Sequence, residues 1–105
     1  MKSFAIDKQQ GSFKVLTSAA SSQAAVMTLE PGESTGAPDN EHPDSEQWLY
    51  VISGTGRALV DKHRVSLREN LLLLIEKNEL HQIKNTGQKP LVTLNFYAPA
   101  AYEGE

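Results

Sequence analysis

The chain contains no cysteine. Disulfides and thiolate metal sites are therefore excluded. Long hydrophobic runs are missing too. Leu71 to Ile75 is apolar throughout but far too short to cross a bilayer. The opening Met1-Lys2-Ser3-Phe4-Ala5-Ile6-Asp7 lacks the apolar stretch of a signal peptide. The expectation is a soluble cytoplasmic protein with no membrane partner. Sustained helical periodicity is absent, which argues for an all-β chain. Positive charge is absent from one long interval: no Lys or Arg lies between Lys14 and Arg57.

That interval is not neutral. It holds Glu30, Glu33, Asp39, Glu41, Asp44 and Glu46, and the whole chain carries a net charge of −3. The balance argues against nucleic acid as a partner. The acidic interval itself reads equally as a solvated loop and as a region that attracts cations.

What is present is a series of short β-favouring segments between turn residues. With 105 residues the chain makes one domain, with a core over about residues 12–99. Residues 1–10 read as an N-terminal arm and residues 100–105 as a tail. Strands are expected at Ser12 to Ser18, Gln23 to Glu30, Gln47 to Ile52, Arg57 to Asp61, Val65 to Leu67, Leu71 to Ile75, Leu80 to Lys84 and Leu91 to Tyr97. Pro31-Gly32 has the composition of a type II turn. Lys62-His63 reads as a hairpin tip, with His63 exposed. The Leu71 to Ile75 run is expected to be covered on both faces. Eight such strands at short intervals imply a sandwich or barrel.

The stretch from Asn40 to Gly54 links a polar, proline-containing loop to the best-patterned strand. In that strand Gln47, Leu49 and Val51 share one face, and Trp48, Tyr50 and Ile52 the other. His42 precedes the strand, and Gln47 is its first inward residue. His81 opens a later strand in which Ile83 shares its face. Strand ends in a small barrel can gather such residues around one point. Two imidazoles and an amide oxygen are reasonable ligands for a borderline divalent cation. An ordinary hydrogen-bonding role for each side chain is the competing reading. Leu49, Val51, Ile83 and part of Leu71 to Leu74 are expected to wall the pocket, which suits a small, partly apolar ligand. Nothing basic is placed to grip a phosphate.

Counted from Gly54, this stretch resembles the first motif of the cupin family, G-x5-H-x-H-x(3,4)-E-x6-G. Gln47 falls at the glutamate, His42 at the second histidine and Asn40 at the first. His81-x3-Asn85 resembles the end of the second motif, with Asn78 in place of its glycine. Pro31-Gly32, Gly54 and Gly56, and Tyr97-Ala98-Pro99 also resemble small single-domain cupins. The resemblance implies a cupin double-stranded β-helix, a jelly-roll barrel. It also implies a divalent transition metal (Mn, Fe, Ni, Zn or Cu) held by His42, Gln47 and His81, with Asn40 as a distant fourth ligand or the holder of a water. The asparagine and glutamine replacements are both neutral, so no carboxylate is left in the ligand set to neutralise the cation. Two functions follow as expectations. One is a metal-dependent enzyme of dioxygenase or isomerase type acting on a small organic molecule. The other is a non-enzymatic sensor or binding module with a degenerate site. The Trp48, Tyr50 and Ile52 face reads equally as a second packed layer of the same molecule and, as the resemblance implies, as the interface of a homodimer.

Overall fold

The computed structural model describes residues 1–6, 13–38 and 43–102. Eight strands follow one another: β1 Phe13–Ser18, β2 Gln23–Leu29, β3 Glu46–Ser53, β4 Gly56–Val60, β5 His63–Leu67, β6 Leu72–Ile75, β7 His81–Asn85 and β8 Leu91–Ala98. Among the described residues there is no helix. The strands form a five-stranded sheet in the order β1-β2-β8-β3-β6 and a three-stranded sheet in the order β5-β4-β7. Every named pairing is antiparallel.

Local chemistry sets the turns. The Glu33 N–H donates to the Glu30 carbonyl at 2.9 Å across Pro31-Gly32, and Gly32 has φ +84°, as a type II turn requires. The β4–β5 hairpin turns on Asp61 (φ 44°) and Lys62 (φ 71°), one residue earlier than the sequence suggests. Two left-handed residues in a two-residue loop make a type I′ turn, whose twist matches its strands. His63 is exposed and starts β5. Asn78 adopts φ 68°, the left-handed conformation expected of it. Gly54 sits at φ +90° against β8. A Cβ there would collide with the Pro90 carbonyl and come within 2.8 Å of the Leu91 Cα.

Alternation then fills the space between the sheets. Leu49, Val51, Ala58, Ile75, Ile83 and Leu91 are fully buried or nearly so and belong to one cluster. Fully burying such a side chain is worth about 1.5–3 kcal/mol. One expectation fails here. β6 is an edge strand paired only with β3, and its side chains show that the leucine run is not covered on both faces. Leu72 is 56% exposed, and only Ile75 of that strand is buried. A continuous apolar run does not say how many neighbours a strand has, and here it has one.

The loop after β2 extends the smaller sheet. Gly32 N–H donates to the Asn85 carbonyl, Asn85 N–H to Glu33, and Thr35 N–H to Ile83, at 2.9 to 3.1 Å. Residues 32–35 therefore run along the free edge of β7. This carries the polar loop to the open end of the sandwich, where the functional residues gather.

Candidate functional site

At that end lies a cavity of about 690 Å³. Both sheets line it: Met27, Leu29, Gln47 and Tyr97 from the larger, and His81 and Ile83 from the smaller. The 34–38 loop lies along one side, and Phe13 and Tyr102 complete the wall.

Gln47 is 4% exposed and faces inward from the start of β3. Its Nε2 donates to Asn95 Oδ1 at 3.0 Å. Asn95, fully buried on β8, donates through Nδ2 to Thr93 Oγ1 at 3.1 Å and to the Thr93 carbonyl at 3.5 Å. A carbonyl only accepts, so the chain of donors runs from Gln47 through Asn95 to Thr93. Gln47 Oε1 is left pointing away from this relay. It is buried and has no hydrogen-bond partner. Leaving such an acceptor unsatisfied costs about 1–3 kcal/mol. In a cavity wall, such an acceptor is open to an ordered water, an ion or a ligand.

His81 is half-buried at the start of β7. Its Nδ1 lies 3.0 Å from the Glu79 carbonyl. That carbonyl can only accept, so Nδ1 carries a proton, which makes Nε2 the nitrogen that would bind a metal. Metal-bound histidines are commonly oriented by such a bond.

The structure thus brings Gln47 and His81 to one cavity. Asn40 and His42 lie outside the described residues. Among the described residues no three His, Asp or Glu side chains converge to hold a metal. Two neutral donors, an amide oxygen and an imidazole nitrogen, are what the described part of the site offers. Both suit a borderline divalent ion. Asp44 and Glu46 are exposed. Glu46 starts β3 on the face opposite Gln47, as strand alternation requires. Asn85 is structural. It is 1% exposed, donates to the Leu29 and Lys89 carbonyls at 2.9 and 2.8 Å, and accepts from Gly87 N–H at 2.8 Å.

The apolar wall differs from the expected one. Of Leu49, Val51, Ile83 and Leu71 to Leu74, only Ile83 lines the cavity. Leu49 and Val51 lie deeper along β3 and belong to the core, with Leu71 and Leu73 packed against it. The wall is instead aromatic, built by Phe13, Tyr97 and Tyr102. The Tyr102 ring lies 4.9 Å from Phe13 and 5.1 Å from Tyr97 between centroids. Residues 101–102 are therefore part of the site wall, although the sequence places them in the tail. Gln23, a polar residue heading the otherwise apolar β2, was the available signal: its buried amide binds this segment.

Comparison with known proteins agrees with the fold. The family model for the Cupin domain matches residues 25–97. The chain is 30% identical over 95 residues to mannose-1-phosphate guanylyltransferase RfbM of Salmonella typhimurium, covering 90% of this chain but 19% of that protein. It is 31% identical over 75 residues to the tetracenomycin polyketide synthase protein TcmJ of Streptomyces glaucescens, covering 71% of this chain and 49% of that one. The chain thus spans half or less of both relatives. A solved structure from Bacillus halodurans superposes with a TM-score of 0.86 at 22% identity, over 97% of this chain and 85% of the other. At that identity the likeness is one of fold. With its two antiparallel sheets and a family match over most of its length, the chain belongs to the cupin family.

Proposed function

We propose that the cavity is a binding site for a small organic molecule, assisted by a divalent metal held by His42, Gln47 and His81, with Asn40 ordering a water beside it. The single observation that carries this reading is Gln47 Oε1, a buried acceptor without a partner in the cavity that His81 also lines. A bound ion would satisfy it. When bound, such a metal would act as a Lewis acid on an oxygen of the ligand. The chain's own contribution is orientation. The Thr93–Asn95–Gln47 relay fixes the amide oxygen inward, and the Glu79 carbonyl fixes the tautomer of His81.

A second reading, a non-enzymatic binding module, is favoured by one specific observation. No Asp or Glu is among the described residues that line the cavity. His81 is then the one ordinary proton acceptor on its described wall, and as a metal ligand it is not available for proton transfer. RfbM and TcmJ bear names from sugar-phosphate and polyketide chemistry. With no Lys or Arg on the described wall, the polyketide direction is the better fit.

The same reading gives the outer face of the five-stranded sheet to a second copy of the chain. Cross-strand rows place Ala24, Phe96, Trp48 and Leu74 side by side, and next to them Val26, Leu94, Tyr50 and Leu72. These eight are uncharged, and the charges on the same face stand at its margins, with Lys14 on β1 beside Val26 and Glu46 at the start of β3. Pairing two such faces about a two-fold axis would bury the apolar rows.

The test is metal content after purification without a histidine tag. About one divalent ion per chain, retained through dialysis and lost in His81→Ala, supports the metal. A metal-free protein with no thermal shift on adding Mn, Fe, Ni, Zn or Cu would sink it.

A further inference from the structure

The aromatic trio has no role in holding a metal, yet the fold spends several buried hydrogen bonds on placing it. Gln23 is 2% exposed. Its Oε1 accepts from Ala101 N–H at 3.1 Å and Tyr102 N–H at 3.0 Å. Its Nε2 donates to the Tyr102 carbonyl at 2.6 Å and to Ser18 Oγ at 2.9 Å. One side chain thus binds Tyr102 as a neighbouring strand would. Ser45, 3% exposed, adds a bond from Oγ to the Pro99 carbonyl at 2.7 Å. Together they hold the segment after β8 in place and set the Tyr102 ring against Phe13 and Tyr97, at interplanar angles of 54° and 76°.

Register ties this wall to Gln47. Tyr97 pairs with Gln47 on one side and Gln23 on the other. Directly opposed residues have Cβ atoms about 4.5–5.5 Å apart. The aromatic wall therefore begins beside Gln47, and both residues line the same cavity.

The remaining polar lining narrows the chemistry. Thr35 Oγ1 already accepts from Ile83 N–H at 3.0 Å, and Ser34 Oγ from Gly36 N–H at 3.2 Å. Met27, Leu29 and Ile83 make apolar floor. A sugar would set several hydroxyls against this apolar floor, where the Thr35 and Ser34 hydroxyls already accept from backbone N–H groups. A phosphate would find no cation on the described wall, and the sequence from 15 to 56 contains none.

We propose that the cavity takes a planar aromatic ring bearing a hydroxyl, with the ring against Phe13, Tyr97 and Tyr102 and the hydroxyl turned toward Gln47. The proposal rests on the reading of this cavity as a ligand site, but not on the presence of metal there. Tyr102 is the specificity determinant, and Gln23 is its positioning residue.

The probe is 2-naphthol, titrated by calorimetry into the full chain, once stripped with chelator and once loaded with zinc. 2-Methoxynaphthalene, which cannot donate, and mannose serve as comparators. The expected result is binding of 2-naphthol to the stripped chain. 2-Methoxynaphthalene is expected to bind about tenfold more weakly, and mannose not measurably. Tyr102→Ala and the fold-neutral Phe13→Ala should each weaken 2-naphthol by about three- to tenfold. Gln47→Leu should abolish the preference for the free hydroxyl. Gln23→Met should reproduce the Tyr102→Ala loss. Absence of 2-naphthol binding in both forms, tighter binding of mannose, or full affinity in both Tyr102→Ala and Phe13→Ala would overturn the proposal. Zinc uptake without 2-naphthol binding removes the ring site and leaves the metal. Binding of 2-naphthol to a chain that takes up no metal does the reverse.

Discussion

The two faces of the five-stranded sheet each depart, in opposite senses, from the usual distribution of polarity. The inner face carries Gln23, Gln47, Thr93 and Asn95, all buried. The outer face carries Trp48 and Phe96, each 40% exposed, and Leu72 beside them. Burial of an amide costs free energy unless its hydrogen bonds are made, and exposure of a large aromatic forgoes hydrophobic gain. The inner departures are nearly all compensated. Gln23 is bonded at both ends of its amide, and Asn95 at both of its own. Gln47 Oε1 is the exception among them. The outer departures are covered by no other strand among the described residues, although Trp48 and Phe96 are cross-strand neighbours of each other. The contrast matches the two proposed roles: a small-ligand site at the mouth end of the inner face, and a contact between copies of the chain on the outer one.

Substitutions can break that contrast in order of size. The largest expected effect is on the inner face below the site. Leu49→Ala empties a fully buried position and should lower stability by about 2–5 kcal/mol in urea unfolding. Gln47→Leu, one inward position nearer the mouth, should behave differently. It removes an unsatisfied acceptor but also the donor to Asn95, so stability should change by no more than about 1 kcal/mol. If its midpoint instead falls as far as that of Leu49→Ala, Gln47 is a packing residue and not a site residue. On the outer face, Trp48→Glu should halve the mass seen by light scattering while leaving the protomer folded by circular dichroism. An unchanged mass removes the second copy from that face. The smallest effect is expected at Asn70→Gly, at the far end of the outer face. Its left-handed φ of 68° suits glycine, and loss of its contact with the Tyr50 hydroxyl should cost under about 1 kcal/mol.

Much of this arrangement was legible in the sequence. Turn residues punctuated the strands, and alternation from Gln47 to Ile52 assigned both faces of β3 correctly. The register of the motif residues brought Gln47 and His81 to one end. Three features were not legible, each for a physical reason. The leucine run of β6 carries no mark of its edge position, because strand neighbours are decided by topology. Leu49 and Val51 share a face with Gln47, but depth along the strand, which alternation does not report, puts them in the core. The aromatic wall depends on Gln23 meeting Tyr102 across a separation of 79 residues. No local pattern announces such a contact. A glutamine at the head of an Ala- and Val-rich strand, and a tyrosine just past a proline, are its only traces.

The central claim is that Gln47 Oε1 and His81 face one ligand-binding centre. Its most direct measurement is calorimetric titration of zinc or manganese into the chelator-stripped, untagged chain, with Gln47→Leu and His81→Ala beside it. The account predicts a stoichiometry near one, weakened about tenfold or more by Gln47→Leu and lost in His81→Ala. Metal binding that is absent from the wild type, or that survives both substitutions unchanged, would contradict it.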